Sequence, residues 1–433
     1  DSSALLGDVT GVALFVVAAD RGHFNWALPL ASAVAAKAVK VEFWTNEESQ
    51  SWLHDWPELT IGGSTGSFSH TKKVIEIFTA LSSSGETDEE GGKALEEHFE
   101  VEIKRQGIGE TLEEAFSRIS PSQEIQDRFL ERLRGKDVSI VIYEQVWCSW
   151  VEALAEKAKV PTLSFQPSYI DVFRHNAGVA PRTFQGSFNF GPEGMVYTLA
   201  HCLRRHAPVP LGRRAVGAML PLRWLQNPWP KNDEEKELQE WLEGGSTPHP
   251  VVYCSLGSHM LSRVLSFGSL TSLLKGILTA ECRVLLVLST AGKESVAHED
   301  PEFQRLIGTN SVRLATWVNQ PAVLSHRSTA VFLSHCGANS IHEALACGRP
   351  IVAMPFFDDQ HYNAAALVDA GCAQRIAKHP VNAEEVTLAV KAMLSTEARS
   401  VATQLQEEIW AENGTTSALE LVADTLRIKG ASR

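Results

Sequence analysis

The stretch Phe332–Gly348 reads FLSHCGANSIHEALACG. It opens as a buried strand ending at His335, turns closely at Gly337, and continues as a helix beginning near Ala338. On that helix Ile341, Ala344, Leu345 and Gly348 fall on the face toward a sheet, while Asn339 and Glu343, four residues apart, share another face. The first N–H groups of a helix have no intrahelical partner, and the helix dipole favours an anion there. The residues allow two readings. In one, a diphosphate sits on the helix N-terminus with His335 beside it, and Glu343 accepts from a ribose diol one turn further in. In the other, Asn339 and Ser340 cap the helix and Glu343 is solvated.

Outward from this segment, short apolar runs alternate with longer amphipathic ones. VVYCSL (251–256), RVLLVLS (283–289), VRLATW (312–317), AVFLSH (330–335) and PIVAMP (350–355) form one series of strands. An earlier series comprises VALFVVAA (12–19), VKVEFWT (39–45), SIVIYE (139–144) and TLSFQ (162–166), with helices at 26–38 and around 147–158. Such alternation predicts α/β units with parallel sheets. The chain's 433 residues exceed one ordinary core. The composition shifts to Pro, Gly and charge over 221–250. Two domains are therefore expected, 1–228 and 229–433, each a Rossmann-like doubly wound sheet, facing each other across a cleft. Ligands of such sheets bind beyond the carboxyl ends of the strands.

A hydrophobic content of 44% with 21% charged residues is that of a folded protein. The formal charge of −13 argues against nucleic acid and anionic membrane as partners, since counterion release needs a basic surface. No apolar run approaches the roughly 20 residues of a transmembrane span, so no transmembrane anchor is expected. The seven cysteines are scattered with no CxxC pair, which suggests neither a zinc site nor a disulfide framework. A reducing cytoplasmic location is the expectation. A dinucleotide fingerprint is missing: the first strand is followed by ADRGHFNW, and GIGETL (107–112) lacks a third glycine. TAGKES (290–295) has the Gly-Lys of a Walker loop without its earlier glycine or the following Ser/Thr.

Upstream of the opening stretch stands WVNQPAVLSH (317–326), and downstream PFFDDQHYNA (355–364). The run from Trp317 to Ala364 resembles the signature of the UDP-glycosyltransferase family, which in plant members has a W-x-P-Q start, an H-C-G-W-N-S centre, a following Glu and a terminal D-Q. A weaker resemblance covers GHFNWALPLASAVAAKAVKVEFWT and VVYCSLGS in the same order. The resemblance implies the GT-B fold, with acceptor on the first domain and nucleotide sugar mainly on the second. It implies that Trp317 stacks on uracil and that Gln320 lies near base and ribose. His335, Gly337, Asn339 and Ser340 surround the diphosphate, and Glu343 binds the ribose. Asp359 and Gln360 bind the sugar hydroxyls, and Ser258 is a phosphate or base contact. His23 matches the catalytic base, and Glu144 the carboxylate that orients it. No metal or other cofactor is expected if a helix N-terminus carries the leaving diphosphate.

Each residue also has a plainer role. Trp317 can be core, Glu144 a solvated strand end, and Asp359 half of an Asp358–Asp359 pair facing a cation. Ala338 stands where plant members carry Trp, Asn319 replaces the Pro before Gln320, and Trp26 stands near a usual Pro. The last helical stretch, 402–428, is expected to cross back to the first domain. Trp317 and Glu343 point to UDP, and Gln360 favours glucose over galactose. Phe24, Trp26, Trp147, Trp150, Phe173 and the Phe184/Phe188/Phe190 group can line an apolar acceptor pocket or simply fill the core. The expected activity is inverting transfer of glucose from UDP-glucose to a small lipophilic acceptor by a monomer. The alternatives are a UDP-sugar epimerase or hydrolase on the same scaffold, and a non-catalytic nucleotide-sugar binder.

Overall fold

The computed structural model describes residues 11–17, 24–54, 56–67, 104–105, 121–166, 196–197, 200, 203, 214–220, 229–230, 232–244, 249–257, 267–288, 300–356 and 359–430. His23 and Ser258 lie outside the described residues, as do GIGETL, TAGKES, Asp358, Phe173 and Phe184, Phe188 and Phe190. The chain divides into two compact units, Asp1–Pro221 with Glu412–Arg433, and Leu222–Ala411. Among the described residues no helix is long and apolar enough to cross a membrane.

The first unit runs β1 (Val12–Val17), α1 (Ala27–Ala35), β2 (Lys40–Thr45), a 3₁₀ segment (Glu47–Leu53), β3 (Thr60–Ser64), α2 (Gln123–Leu133) and β4 (Val138–Glu144). It continues through α3 (Gln145–Cys148), α4 (Trp150–Ala158), β5 (Thr162–Gln166), β6 (Val196–Tyr197) and β7 (Arg214–Ala215). Its sheet has the order β3-β2-β1-β4-β5-β6-β7. Every pairing between the strands is parallel. All six residues of β1 are buried, because a central parallel strand is covered on both faces. Val12, Leu14 and Val16 join Phe129, Leu133, Val151 and Leu154 of α2 and α4 in one core. On the alternate register Phe15 stacks on Phe43 at 5.3 Å, and Phe43 meets Phe24 at 5.7 Å.

The second unit begins with α5 (Asp233–Glu243) and then alternates β8 (Val251–Ser255), α6 (Phe267–Thr279), β9 (Arg283–Val287), α7 (Pro301–Ile307), β10 (Val312–Ala315), α8 (Gln320–Ser325) and β11 (Thr329–Ser334). There follow α9 (Ala338–Ala346), β12 (Ile351–Ala353), α10 (Gln360–Asp369), β13 (Ala373–Arg375), α11 (Ala383–Met393) and α12 (Thr396–Glu412). The sheet order is β10-β9-β8-β11-β12-β13, again parallel at each pairing. The helical stretch expected over 402–428 is two helices. The chain breaks at Asn413, whose φ is 49°, and α13 (Gly414–Gly430) joins the first unit against α1. A Cβ on Gly414 would lie 2.4 Å from the Ala218 carbonyl oxygen, so only glycine allows α13 to start this close to the chain.

In each sheet the strand order reverses once, between β1 and β4 and between β8 and β11. Those are the switch points where two loops leave a parallel sheet in opposite directions and open a crevice.

A buried cation, Arg283, anchors the start of the second unit. Arg283, 3% exposed, donates to the carbonyls of Trp241, Leu242 (2.7 Å) and His249 (3.3 Å), and its guanidinium lies 4.7 Å from the Trp241 ring centre. It satisfies the carbonyl end of α5. Arg283→Ala would leave those carbonyls unpaired, and a loss of about 2 kcal/mol in stability is expected by denaturant titration. Unchanged stability would show that water replaces the guanidinium without penalty.

Candidate nucleotide site

The N-terminus of α9 lies at the second switch point. Its cap residue is Gly337, extended at φ −61° and ψ 143°, and no side chain caps the helix. The capping reading of Asn339 and Ser340 is therefore corrected: both lie inside the first turn, two and three residues after the cap. Ile341, Ala344 and Leu345 are fully buried, as their spacing predicted.

The loop that feeds this helix is held by specific bonds. Cys336 has left-handed backbone (φ 66°), which a residue with a side chain adopts at a cost. Its N–H donates to Ser334 Oγ at 3.0 Å, and its carbonyl accepts from Asn363 Nδ2 at 2.9 Å. Asn363 also donates to Asp359 Oδ2 at 3.0 Å, which ties the loop after β11 to the start of α10. The His335 ring packs against glycine on both neighbouring loops. A Cβ on Gly337 would lie 2.5 Å from His335 Nε2, and one on Gly257, where φ is +84°, would lie 3.0 Å from the same atom. Two strand-end loops thus approach one imidazole because neither carries a side chain there.

One turn into α9, Glu343 is 6% exposed, not solvated as the plainer reading allowed. Its Oε2 accepts from Gln320 Nε2 at 2.7 Å, and the same nitrogen reaches Ser340 Oγ at 3.3 Å. Gln320 Oε1 accepts in turn from the Tyr253 hydroxyl at 3.0 Å. Gln320 is the first residue of α8, whose N-cap is Asn319, accepting from the Ala322 N–H at 3.4 Å with Pro321 in the first turn. The departure at Asn319 from the usual Pro therefore has a local function: it caps the helix that carries Gln320. At the other end of α8, Arg349 donates to the carbonyls of Leu324 (2.5 Å), Ser325 (3.3 Å) and His326 (3.2 Å).

Trp317 follows β10 and is 58% exposed, so the core reading does not hold. Asp359 and Gln360 are 8% and 5% exposed, and Gln360 Oε1 accepts from the Phe356 N–H at 3.0 Å. His342, the neighbour of Glu343, is buried, and burial pushes its imidazole down to about 4. It is neutral at pH 7 and adds no positive charge beside Glu343.

In the first unit Glu144 ends β4 and is fully buried, which corrects the solvated strand-end reading. Val16 of β1 pairs with Tyr143 of β4, so the chain leaving β1 departs beside Glu144 at the first switch point. Thr45, Asn46, Gln145 and Gln166 are also buried polar residues at the carboxyl ends of the strands or just beyond. Phe24 and Trp26 belong to the core: Phe24 meets Trp52 at 5.2 Å, and Trp26 stacks on Phe165 at 4.9 Å. Trp150 meets Phe129 at 5.2 Å in the other core layer.

The second unit thus unites Trp317's neighbour Gln320 with Ser340 and Glu343, and seats His335 against Gly337. Sequence reasoning missed Tyr253 and Asn363. Asn363 left one signal, a polar residue on an otherwise buried face of α10, four residues after Asp359.

Comparison with known proteins follows this geometry. Residues 226–403 match the family UDP-glucoronosyl and UDP-glucosyl transferase. UDP-glycosyltransferase CGT of Oryza sativa subsp. japonica is 34% identical over 201 residues, 42% of this chain and 40% of that protein. UDP-glycosyltransferase 85A1 of Arabidopsis thaliana is 37% identical over 139 residues, 31% of this chain and 27% of that protein. The chain thus spans two fifths or less of the length of these curated relatives. Among solved structures, the glycotransferase of kitacinnamycin superposes with a TM-score of 0.67 at 18% identity, covering 96% of this chain and 100% of that one. Os79 from O. sativa, solved in complex with UDP, gives 0.67 at 16% identity over 96% of this chain and 100% of that one. These likenesses show the GT-B fold. The match to the UDP-glucoronosyl and UDP-glucosyl transferase family falls within the second unit, Leu222–Ala411.

Proposed function

We propose that the protein is an inverting glycosyltransferase that moves glucose from UDP-glucose to a hydroxyl, or similar nucleophile, of a small lipophilic acceptor. The observation that carries this reading is the start of α9. A helix N-terminus without a side-chain cap opens at the switch point of a parallel sheet, with His335 against its first turn and Glu343 one turn in. Such an end offers backbone N–H groups and a positive dipole to a diphosphate. Asn339 and Ser340 belong to the same first turn. Glu343, an acceptor-only carboxylate, suits a ribose diol. Trp317 offers an exposed flat ring to uracil. Asp359 and Gln360 are assigned to the glucose hydroxyls, and Ser258 to a phosphate or base contact.

In the reaction His23 takes the proton of the acceptor hydroxyl. The oxygen attacks the anomeric carbon, and the bond from that carbon to the β-phosphate oxygen breaks with its electron pair left on UDP. Attack from the face opposite UDP inverts the anomeric centre. The α9 N-terminus, with His335, stabilises the departing diphosphate without a metal. Glu144, buried at the end of β4, is assigned to orient His23.

The test is release of UDP from UDP-glucose, with and without a panel of apolar hydroxyl compounds, with products read by mass. Release that requires an acceptor, with a gain of one hexose on it, is the expected result. Release without acceptor would replace this reading with a hydrolase or epimerase. Tight UDP binding with no release under any condition would leave a nucleotide-sugar binder.

A further inference from the structure

We infer that Tyr253 is a positioning residue for the nucleotide: its hydroxyl orients the Gln320 amide, and Gln320 in turn holds the Glu343 carboxylate ready for the ribose. The inference rests on the assignment of Glu343 to a ribose diol.

Tyr253 sits in the middle of β8 and is 1% exposed. It pairs with Phe332 of β11, and the two rings stack at 5.0 Å and 9°. The ring is held on both counts, so its hydroxyl has one place to be. A buried phenol needs a partner, and this one donates to Gln320 Oε1 at 3.0 Å. Burial, with the Glu343 charge nearby, pushes the phenol's pKa up, so it keeps the proton it donates.

The polarity of the chain of bonds is forced. A carboxylate only accepts, so the end of Gln320 that lies 2.7 Å from Glu343 Oε2 must be the –NH₂. The carbonyl end then faces Tyr253, where a donor is required and the hydroxyl supplies it. Tyr253→Phe keeps the ring and the stack on Phe332 but removes that donor. Gln320 Oε1 is left in a place without a proton to accept, and the amide gains reason to turn or swing away. Glu343 then loses the bond that holds one of its oxygens. Backbone anchoring does not compensate, because Asn319 and Arg349 fix α8 and not the Gln320 side chain.

The experiment compares UDP with 2′,3′-dideoxy-UDP by calorimetry, on the wild type, Tyr253→Phe, Gln320→Leu and the double variant. UDP is expected to bind the wild type more tightly than the dideoxy nucleotide. Tyr253→Phe should weaken UDP about five- to tenfold, leave dideoxy-UDP within twofold, and leave kcat at saturating donor within twofold. Gln320→Leu should weaken UDP at least as much as Tyr253→Phe does, and adding Tyr253→Phe to it should weaken UDP no further. If the wild type discriminates between the nucleotides and Tyr253→Phe discriminates equally well, Tyr253 has no positioning role and the ribose assignment stands. If Tyr253→Phe weakens both nucleotides equally, its effect is general packing and the inference fails. A wild type that binds both nucleotides equally, or neither, would overturn the ribose assignment and this inference together.

Discussion

His23→Ala is expected to lower turnover roughly 100- to 10,000-fold while UDP affinity stays within about twofold of the wild type. The size follows from the step assigned to the imidazole. An alcohol is a poor nucleophile at pH 7, and a base that takes its proton in the transition state contributes two to four orders of magnitude. The split between turnover and binding follows from topology. His23 stands in the chain between β1 and α1 of the first unit, whereas the residues assigned to diphosphate and ribose belong to the second. What supports the role is the order of the described strands. β1 and β4 are neighbours at the switch point, and β4 ends in a carboxylate buried at 0% exposure, Glu144. The resemblance assigns such a carboxylate to orient the imidazole that takes the acceptor's proton. The measurement is kcat with saturating donor and acceptor, beside calorimetry with UDP. Near-normal turnover in the variant would remove His23 from the mechanism.

Gly337→Ala is expected to weaken UDP binding about 100-fold with little change in melting temperature. The backbone at Gly337 is extended (φ −61°, ψ 143°), so any residue can adopt it and no conformational strain is introduced. The added methyl would instead lie 2.5 Å from His335 Nε2, 3.2 Å from Cε1 and 3.3 Å from Cδ2. On its other side the same nitrogen faces the Gly257 loop, where an added Cβ would lie 3.0 Å away. The ring must therefore leave its seat, and the methyl enters the mouth of the helix. A lost charge-assisted bond to phosphate accounts for most of a 100-fold change, about 2.7 kcal/mol. Calorimetry with UDP and a thermal melt separate this from unfolding. UDP affinity within threefold of the wild type, in a folded variant, would take His335 away from the diphosphate.

Much of the fold can be read from the residues alone, because the strands at the centre of each sheet are buried on both faces. VALFVV and TAVFLS appear as apolar runs for that reason. Of the edge strands, β10 appears as VRLATW, but β3 and β13 do not. β3 is TIGGS and β13 is AQR, half-exposed and bounded by few apolar residues, and neither has a period to detect. The signature from Trp317 to Ala364 singled out most of the residues assigned to the donor. It did not show that Trp317 is exposed, that Asn319 is a helix cap, or that no side chain caps α9.

What the sequence by itself determined is the alternation of strand and helix, the reversal of composition near 221–250, and the polar cluster that follows β11. These are local properties, since a residue's neighbours in the chain decide whether it can lie in a strand, a turn or the first turn of a helix. Tertiary structure alone decided which distant side chains meet. Tyr253 and Gln320 are 67 residues apart, and Gln320 and Glu343 are 23 apart. They form one chain of hydrogen bonds only because β8 lies next to β11 and α8 packs on α9. Periodicity records how much of a residue is buried. It carries no information about which donor will find which acceptor once the sheet has closed over them.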